Sequence, residues 1–133
     1  MRGIGLGIAA LLGLALLPSS ALAAEPYEGA WARTSSECND PDGATSLTVI
    51  DLKVNIDGKP RPMVEQYEHH CFIDKKATTG SDTALTATCY EFWDDFKKKV
   101  NGRKVTTKLT VVSKDALKID GTSYRRCAER GKK

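Results

Sequence analysis

Residues 50–58 read IDLKVNIDG, and this stretch decides the fold class because apolar and polar residues alternate along it. Successive side chains of a β-strand point to opposite faces, so the alternation predicts a strand with one buried face. The Asp57-Gly58 pair at its end favours the positive φ angles of a tight hairpin turn. We therefore expect a strand over 50–56 that turns back at Asp57-Gly58.

The same period of two recurs along the rest of the chain. Weaker alternations run through 63–73, 85–90, 105–111, 117–119 and 124–127. In the strand predicted over 63–73, Glu65, Tyr67, His69 and Cys71 are expected on one face, with the adjacent His70 on the other. Further strands at this spacing are typical of an all-β protein.

Turn signals fall between these runs. Asn101-Gly102 and Asp120-Gly121 predict two more hairpins, and residues 41–43 and 79–82 have the composition of looser turns. No stretch predicts a long amphipathic helix, although Phe92 and Phe96 are spaced for a single helical turn. We expect an antiparallel meander of roughly seven or eight short strands, most simply a closed barrel, because closure removes exposed strand edges.

Residues 1–23 have the three parts of a secretory signal peptide. Arg2 gives the positive start, Ile4–Leu17 is apolar, and Ala21 and Ala23 occupy the small-residue positions before the cut. The apolar run is shorter than the roughly 20 residues of a membrane span, which disfavours an uncleaved anchor. We expect cleavage after Ala23, a single domain over 24–133 with no membrane span, and a bacterial periplasmic or secreted location.

All four cysteines, Cys38, Cys71, Cys89 and Cys127, follow the predicted cut. An even number in a short exported chain predicts two disulfides. Their wide spacing disfavours a structural zinc site, whose ligands usually come in close pairs. Of the three connectivities, sequential pairing of Cys38 with Cys71 and of Cys89 with Cys127 is our preferred hypothesis.

Charge and motifs argue against most catalytic and nucleic-acid functions. The formal net charge of +3 is too small to indicate a nucleic-acid partner. Motifs of serine hydrolases, zinc proteases and phosphate-binding loops are absent from the sequence. Glu91, Asp94 and Asp95 form an acidic cluster near aromatic residues, but no second catalytic group accompanies them. We expect a monomeric, non-enzymatic protein without a metal or cofactor.

Four of the aromatic residues are concentrated in one short segment: Tyr90, Phe92, Trp93 and Phe96. Such a cluster predicts a ligand-lining wall or a surface for a protein partner, since large aromatic side chains carry much of the energy at such sites. The structural alternative is that these rings plug the barrel.

Tyr27, Gly29 and Trp31 form a Tyr-x-Gly-x-Trp pattern that resembles the first strand of lipocalin-like barrels. The resemblance implies that Trp31 closes one end of the barrel and that an arginine of the last strand, Arg125 or Arg126, packs across it. The same Tyr-x-Gly-x-Trp pattern is also similar to the start of small bacterial exported relatives of this fold, including inhibitors of secreted metalloproteases.

Two functional hypotheses follow. The first is a binding module that holds a small apolar ligand inside the barrel or a protein partner on the aromatic segment. The second is an inhibitor of a secreted or periplasmic hydrolase, a protease or a lysozyme, in which an exposed loop or the N-terminal segment 24–31 enters the target's cleft. A small hydrolase that uses Asp94 or Asp95 is a third alternative.

Overall fold

The computed structural model describes residues 24–40 and 47–128, and eight of their strands close into an antiparallel barrel. The all-β barrel expected from the sequence is therefore confirmed. The predicted signal peptide, residues 1–23, and the predicted turn at 41–43 lie outside the described residues.

The strands follow one another as an up-and-down meander. Their bounds are β1 Gly29–Ala32, β2 Thr48–Asp51, β3 Asn55–Ile56, β4 Lys59–Pro60, β5 Met63–Gln66, β6 His69–Thr79, β7 Asp82–Tyr90, β8 Arg103–Ser113, β9 Ala116–Ile119 and β10 Thr122–Arg126. The order around the barrel is β1, β10, β9, β8, β7, β6, β5 and β2, and β3 pairs with β4 as a separate hairpin. A 3₁₀ turn, Glu37–Asn39, follows β1, and a helix, α1 (Trp93–Lys98), joins β7 to β8.

The decisive stretch 50–58 forms two elements, so the single strand expected over 50–56 is wrong. β2 ends at Asp51, whose carboxylate accepts a hydrogen bond from the Lys53 backbone amide at 2.8 Å. This local bond competes with the sheet ladder and turns the chain off the barrel. The Asp57-Gly58 hairpin is confirmed, because both residues have positive φ angles of 54° and 76°.

The stretch 63–73 also divides, into β5 and the start of β6. Tyr67-Glu68 forms the turn between them, with Glu68 at a φ of 54°. Glu65 therefore pairs with His70, and the expected shared face of Glu65 and His69 is wrong. Residues that pair across a two-residue turn differ in number by an odd value, so a period-two count continued through the turn assigns the wrong face to every residue after it.

Two other predicted turns have different outcomes. Asp120-Gly121 joins β9 to β10 with φ angles of 49° and 83°, as expected. Asn101-Gly102 does not form a hairpin, because α1 separates β7 from β8. The single helical turn suggested by Phe92 and Phe96 is confirmed at the start of α1, where Phe92 is the N-cap; the C-cap Lys99, after the last helical residue Lys98, has the left-handed conformation.

Both disulfides form, but the preferred pairing is wrong. The bonds are Cys38–Cys127 and Cys71–Cys89. Cys71 and Cys89 lie directly opposite each other on β6 and β7. Barrel closure places β10 beside β1, and the segment after β1 then brings Cys38 to Cys127.

Apolar side chains pack on both sides of the barrel wall. The interior cluster is centred on Trp31, Ile50, Leu85, Leu109 and Leu117. A second cluster lies between the outside of the wall and α1 and contains the buried residues Met63, Tyr90 and Phe96. An empty space adjoins each cluster, one inside the barrel and one outside it.

Candidate functional site

One end of the barrel is closed by Trp31 and Arg126. The Trp31 ring is completely buried, and the Arg126 guanidinium carbon lies 4.3 Å from its centroid. The guanidinium donates hydrogen bonds to the carbonyl oxygens of Pro26, Glu28 and Lys114 at 3.0, 2.6 and 3.0 Å. The stacking of the guanidinium on Trp31 and its three hydrogen bonds together fill this end of the barrel, and we call Trp31 and Arg126 the plug.

Only one of the two candidate arginines occupies this position. Arg125 is exposed and donates to the Ser35 hydroxyl at 2.7 Å on the outside of the barrel. Gly29 makes room for Arg126, because a Cβ atom at Gly29 would lie 2.5 Å from the Arg126 Nη1 atom. Gly29 also has a φ of 133°, which side chains disfavour.

Tyr27 packs beside this plug. Its carbonyl oxygen accepts a hydrogen bond from the Trp31 indole at 2.8 Å. Burial, together with the charges of Glu25 and Glu28, raises the pKa of the Tyr27 phenol to about 12. Among the described residues this buried hydroxyl has no hydrogen-bond partner, so Tyr27 contributes through the packing of its ring in the core.

A cavity of about 170 Å³, here called the inner cavity, occupies the barrel interior. Its lining is mainly apolar and includes the Cys71–Cys89 disulfide: Ile50, Val64, Leu85, Ala87, Val105, Leu109 and Ile119, with Thr48, Gln66, Thr107 and Asp120 as the polar members. Strand alternation explains this set, since every second residue of a barrel strand points inward.

The inner cavity reaches the barrel end opposite the Trp31 plug. Gln66 adjoins the β5–β6 turn and Asp120 lies in the β9–β10 turn, and in a meander these two connections share one end. Val105, with 41% of its surface exposed, belongs to the same wall. Gln66 and Asp120 therefore mark the end of the barrel that the inner cavity reaches.

Part of the polar lining of the inner cavity is already hydrogen-bonded. The Gln66 amide donates to the Thr48 hydroxyl at 3.0 Å, and the Asp120 carboxylate accepts a hydrogen bond at 2.8 Å from the backbone amide of Lys108, which lies outside the lining. A mainly apolar lining with few polar groups suits binding of an apolar molecule better than acid-base chemistry.

The predicted aromatic cluster does not line the inner cavity and does not plug the barrel. Tyr90 and Phe96 are buried between the outer wall and α1, whereas Phe92 and Trp93 are 62% and 40% exposed. Trp93 lines a second concavity of about 190 Å³, the outer cleft, together with Val49, Asp51, Val54, Ile56, Met63 and Glu65. None of the described residues lines both spaces.

The remaining polar candidates do not assemble into a reaction centre. Asp94 and Asp95 lie in the first turn of α1, and Asp95 accepts a hydrogen bond from Asn101 at 3.4 Å. In the described part of the chain, no group of three or more histidine, cysteine or acidic side chains is placed to hold a metal ion. Within the same residues, no helix has the length and apolar character needed to cross a membrane.

Comparison with known protein families, with curated proteins and with solved structures gave no match to this chain. The lipocalin-like resemblance of Tyr27, Gly29 and Trp31 therefore stays a prediction, as do the binding-module, inhibitor and hydrolase hypotheses. The candidate site rests on the geometry of the inner cavity.

Sequence reasoning missed most of the residues that line the inner cavity. Ala87, Val105 and Leu109 stand in the alternating runs that predict strands, but small and branched residues at inward positions are as typical of a filled core. The signal that could have found the cavity is the sparsity of large aromatic side chains among those inward positions. Trp31 and Tyr27 are concentrated at the closed end instead.

Proposed function

We propose that this protein is a non-enzymatic binding module that holds a small apolar ligand in the inner cavity. The observation that carries the proposal is a mostly apolar interior space that reaches one barrel end while the other end is plugged by Trp31 and Arg126. Ligand sites in small barrels combine these features.

The size of the inner cavity limits the ligand. About 170 Å³ is close to the roughly 150 Å³ engineered cavity that binds benzene in another protein, and it is below the range of about 300 Å³ and above that is typical of drug-sized ligands. We therefore propose a ligand of single-ring size, with at most one or two polar atoms directed towards Thr48, Gln66 or Thr107.

The location proposed for this activity is the periplasm or the extracellular space. The two disulfides fit an oxidising compartment. The signal-peptide pattern of residues 1–23 supports export as the route to it.

The proposal is tested with toluene as a probe of the inner cavity. We expect saturating toluene to raise the midpoint of thermal unfolding by several degrees, because a ligand that binds only the folded state stabilises it. Mass spectrometry of protein purified with both disulfides formed, under native and denaturing conditions, would reveal a natural ligand as a discrete mass difference.

A matched pair of variants locates the binding. Ala87→Leu places a larger side chain inside the inner cavity and should abolish the toluene effect, whereas Ala84→Leu changes the exposed outer face of the same strand and should preserve it. An absent toluene effect combined with equal native and denatured masses would refute the proposal. Equal toluene effects in the two variants would place binding elsewhere.

A further inference from the structure

The outer cleft lies on the opposite side of the barrel wall from the inner cavity. Its floor is Met63, which is 3% exposed, and its flanks are the hairpin residues Val54 and Ile56 and the α1 residue Trp93. Trp93 is held in place by stacking on Phe96, with ring centroids 4.6 Å apart. The cleft is therefore a preformed apolar slot with a rigid aromatic flank.

Two carboxylates stand among these apolar flanks. Asp51 accepts only the Lys53 backbone amide in the hydrogen bonds of the described residues, and Glu65 lies 3.6 Å from the His70 Nδ1 atom. Neither has a lysine or arginine ion-pair partner in residues 24–40 and 47–128. The ammonium of the exposed Lys97 lies 5.7 Å from the Trp93 ring centroid.

An apolar slot whose carboxylates have no lysine or arginine partner among the described residues suits a long apolar stem that ends in a positive charge. Lysine and arginine side chains have this construction, since their methylene chains cover apolar surface while their heads seek anionic partners. The volume of about 190 Å³ is that of one such side chain rather than of a folded element.

The residue next to Trp93 in the chain favours a polypeptide as the source of that side chain. Phe92 immediately precedes Trp93 and is 62% exposed, so an exposed aromatic side chain adjoins in sequence the one that lines the cleft. Exposed aromatic residues next to a pocket are typical of protein-binding surfaces, where the neighbours of the inserted side chain make contact.

We propose that the outer cleft is a docking site for a partner polypeptide, which inserts one lysine or arginine side chain between Trp93 and the hairpin and places its cation beside Asp51 and Glu65. Residues that flank the inserted side chain contact Phe92. This interaction uses a different set of residues from ligand binding in the inner cavity, because none of the described residues lines both spaces.

The test is an NMR titration of the protein, purified with both disulfides formed, at low ionic strength. The probe is an acetylated and amidated pentapeptide of sequence GLKLG, and its matched control carries norleucine in place of the lysine. We expect amide shifts at Met63, Glu65 and Trp93 and a dissociation constant roughly tenfold lower for the lysine peptide, as for one charge-assisted contact. Arginine in place of the lysine should bind at least as tightly.

Variants separate a local contact from general charge attraction. Glu65→Gln and Asp51→Asn should each weaken binding of the lysine peptide by about fivefold. Asp57→Asn removes the same charge from the hairpin turn, outside the cleft lining, and should leave binding unchanged. Equal binding of the lysine and norleucine peptides would overturn the proposal, and so would shifts that map elsewhere or no shifts at millimolar peptide. Butylammonium that bound as tightly as the peptide would identify a small-cation site and would equally overturn the docking of a polypeptide.

Discussion

Arg126 links three segments of the chain at the closed end of the barrel. Its guanidinium reaches carbonyl oxygens before β1 and in the β8–β9 turn, which are far apart in sequence. A planar fork of donors can satisfy several carbonyls at once, and its face can still stack on Trp31. A lysine has neither the fork nor the flat face, so the residue type matters more here than the charge.

We predict that Arg126→Ala lowers the free energy of unfolding by about 2–3 kcal/mol, because it removes charge-assisted hydrogen bonds and uncovers Trp31. Arg126→Lys should recover less than half of that loss. Arg125→Ala is the matched control on the same strand and should change stability by less than about 0.5 kcal/mol. Urea unfolding measures all three, and similar losses for Arg125→Ala and Arg126→Ala would contradict the assignment.

At the level of elements, α1 depends on its contacts with the barrel wall. A helix of six residues is too short to be stable alone. Phe96 anchors it, with 1% of its surface exposed and its ring stacked 4.0 Å from that of Phe72. Asp94 and Asp95 in the first turn and Lys97 and Lys98 in the last complement the helix dipole, which gives the acidic cluster a structural role.

We predict that Phe96→Ala costs about 3 kcal/mol of unfolding free energy, since it leaves a cavity under α1. Phe92→Ala, four positions earlier and mostly exposed, should cost less than about 0.5 kcal/mol. Thermal unfolding followed by circular dichroism gives both values. If Phe92→Ala proved the more damaging change, the packing described for α1 would be incorrect.

At the level of the whole molecule, the two disulfides differ in how much they restrict the unfolded chain. Cys38–Cys127 closes a loop with a sequence separation of 89 and joins the two ends of the barrel sequence, whereas Cys71–Cys89 spans 18 residues between strands that already pair. In the chain-entropy description, the longer loop removes more freedom from the unfolded chain.

We predict that replacing Cys38 and Cys127 by alanine costs about 4.6 kcal/mol, against about 3.2 kcal/mol for Cys71 and Cys89, from the loop lengths alone. Denaturant unfolding of the two double variants tests the order. A larger loss for Cys71 and Cys89 would show that their packing inside the inner cavity outweighs the loop term.

The sequence by itself determined the features that depend on neighbouring residues. A period of two specified strands, Asp57-Gly58 and Asp120-Gly121 specified hairpins because their backbones reach positive φ, and the number of cysteines specified two bridges. Phe92 and Phe96 correctly indicated the helical turn. The Trp31 contact with Arg126, rather than with Arg125, needed the register of β1 and β10.

Only the tertiary structure decided which distant residues meet. Asp51 ends β2 and Tyr67-Glu68 reverses the chain without any break in the apolar alternation, so the register beyond those points cannot be counted from sequence. Cys127 lies near Cys38 because β10 pairs with β1. That pairing depends on the total shift in register between neighbouring strands around the barrel. The inner cavity and the outer cleft also depend on barrel closure. The alternation of residues predicts which face of the sheet a side chain is on, but the curvature of the closed sheet decides whether the side chains on that face fill the space beside it.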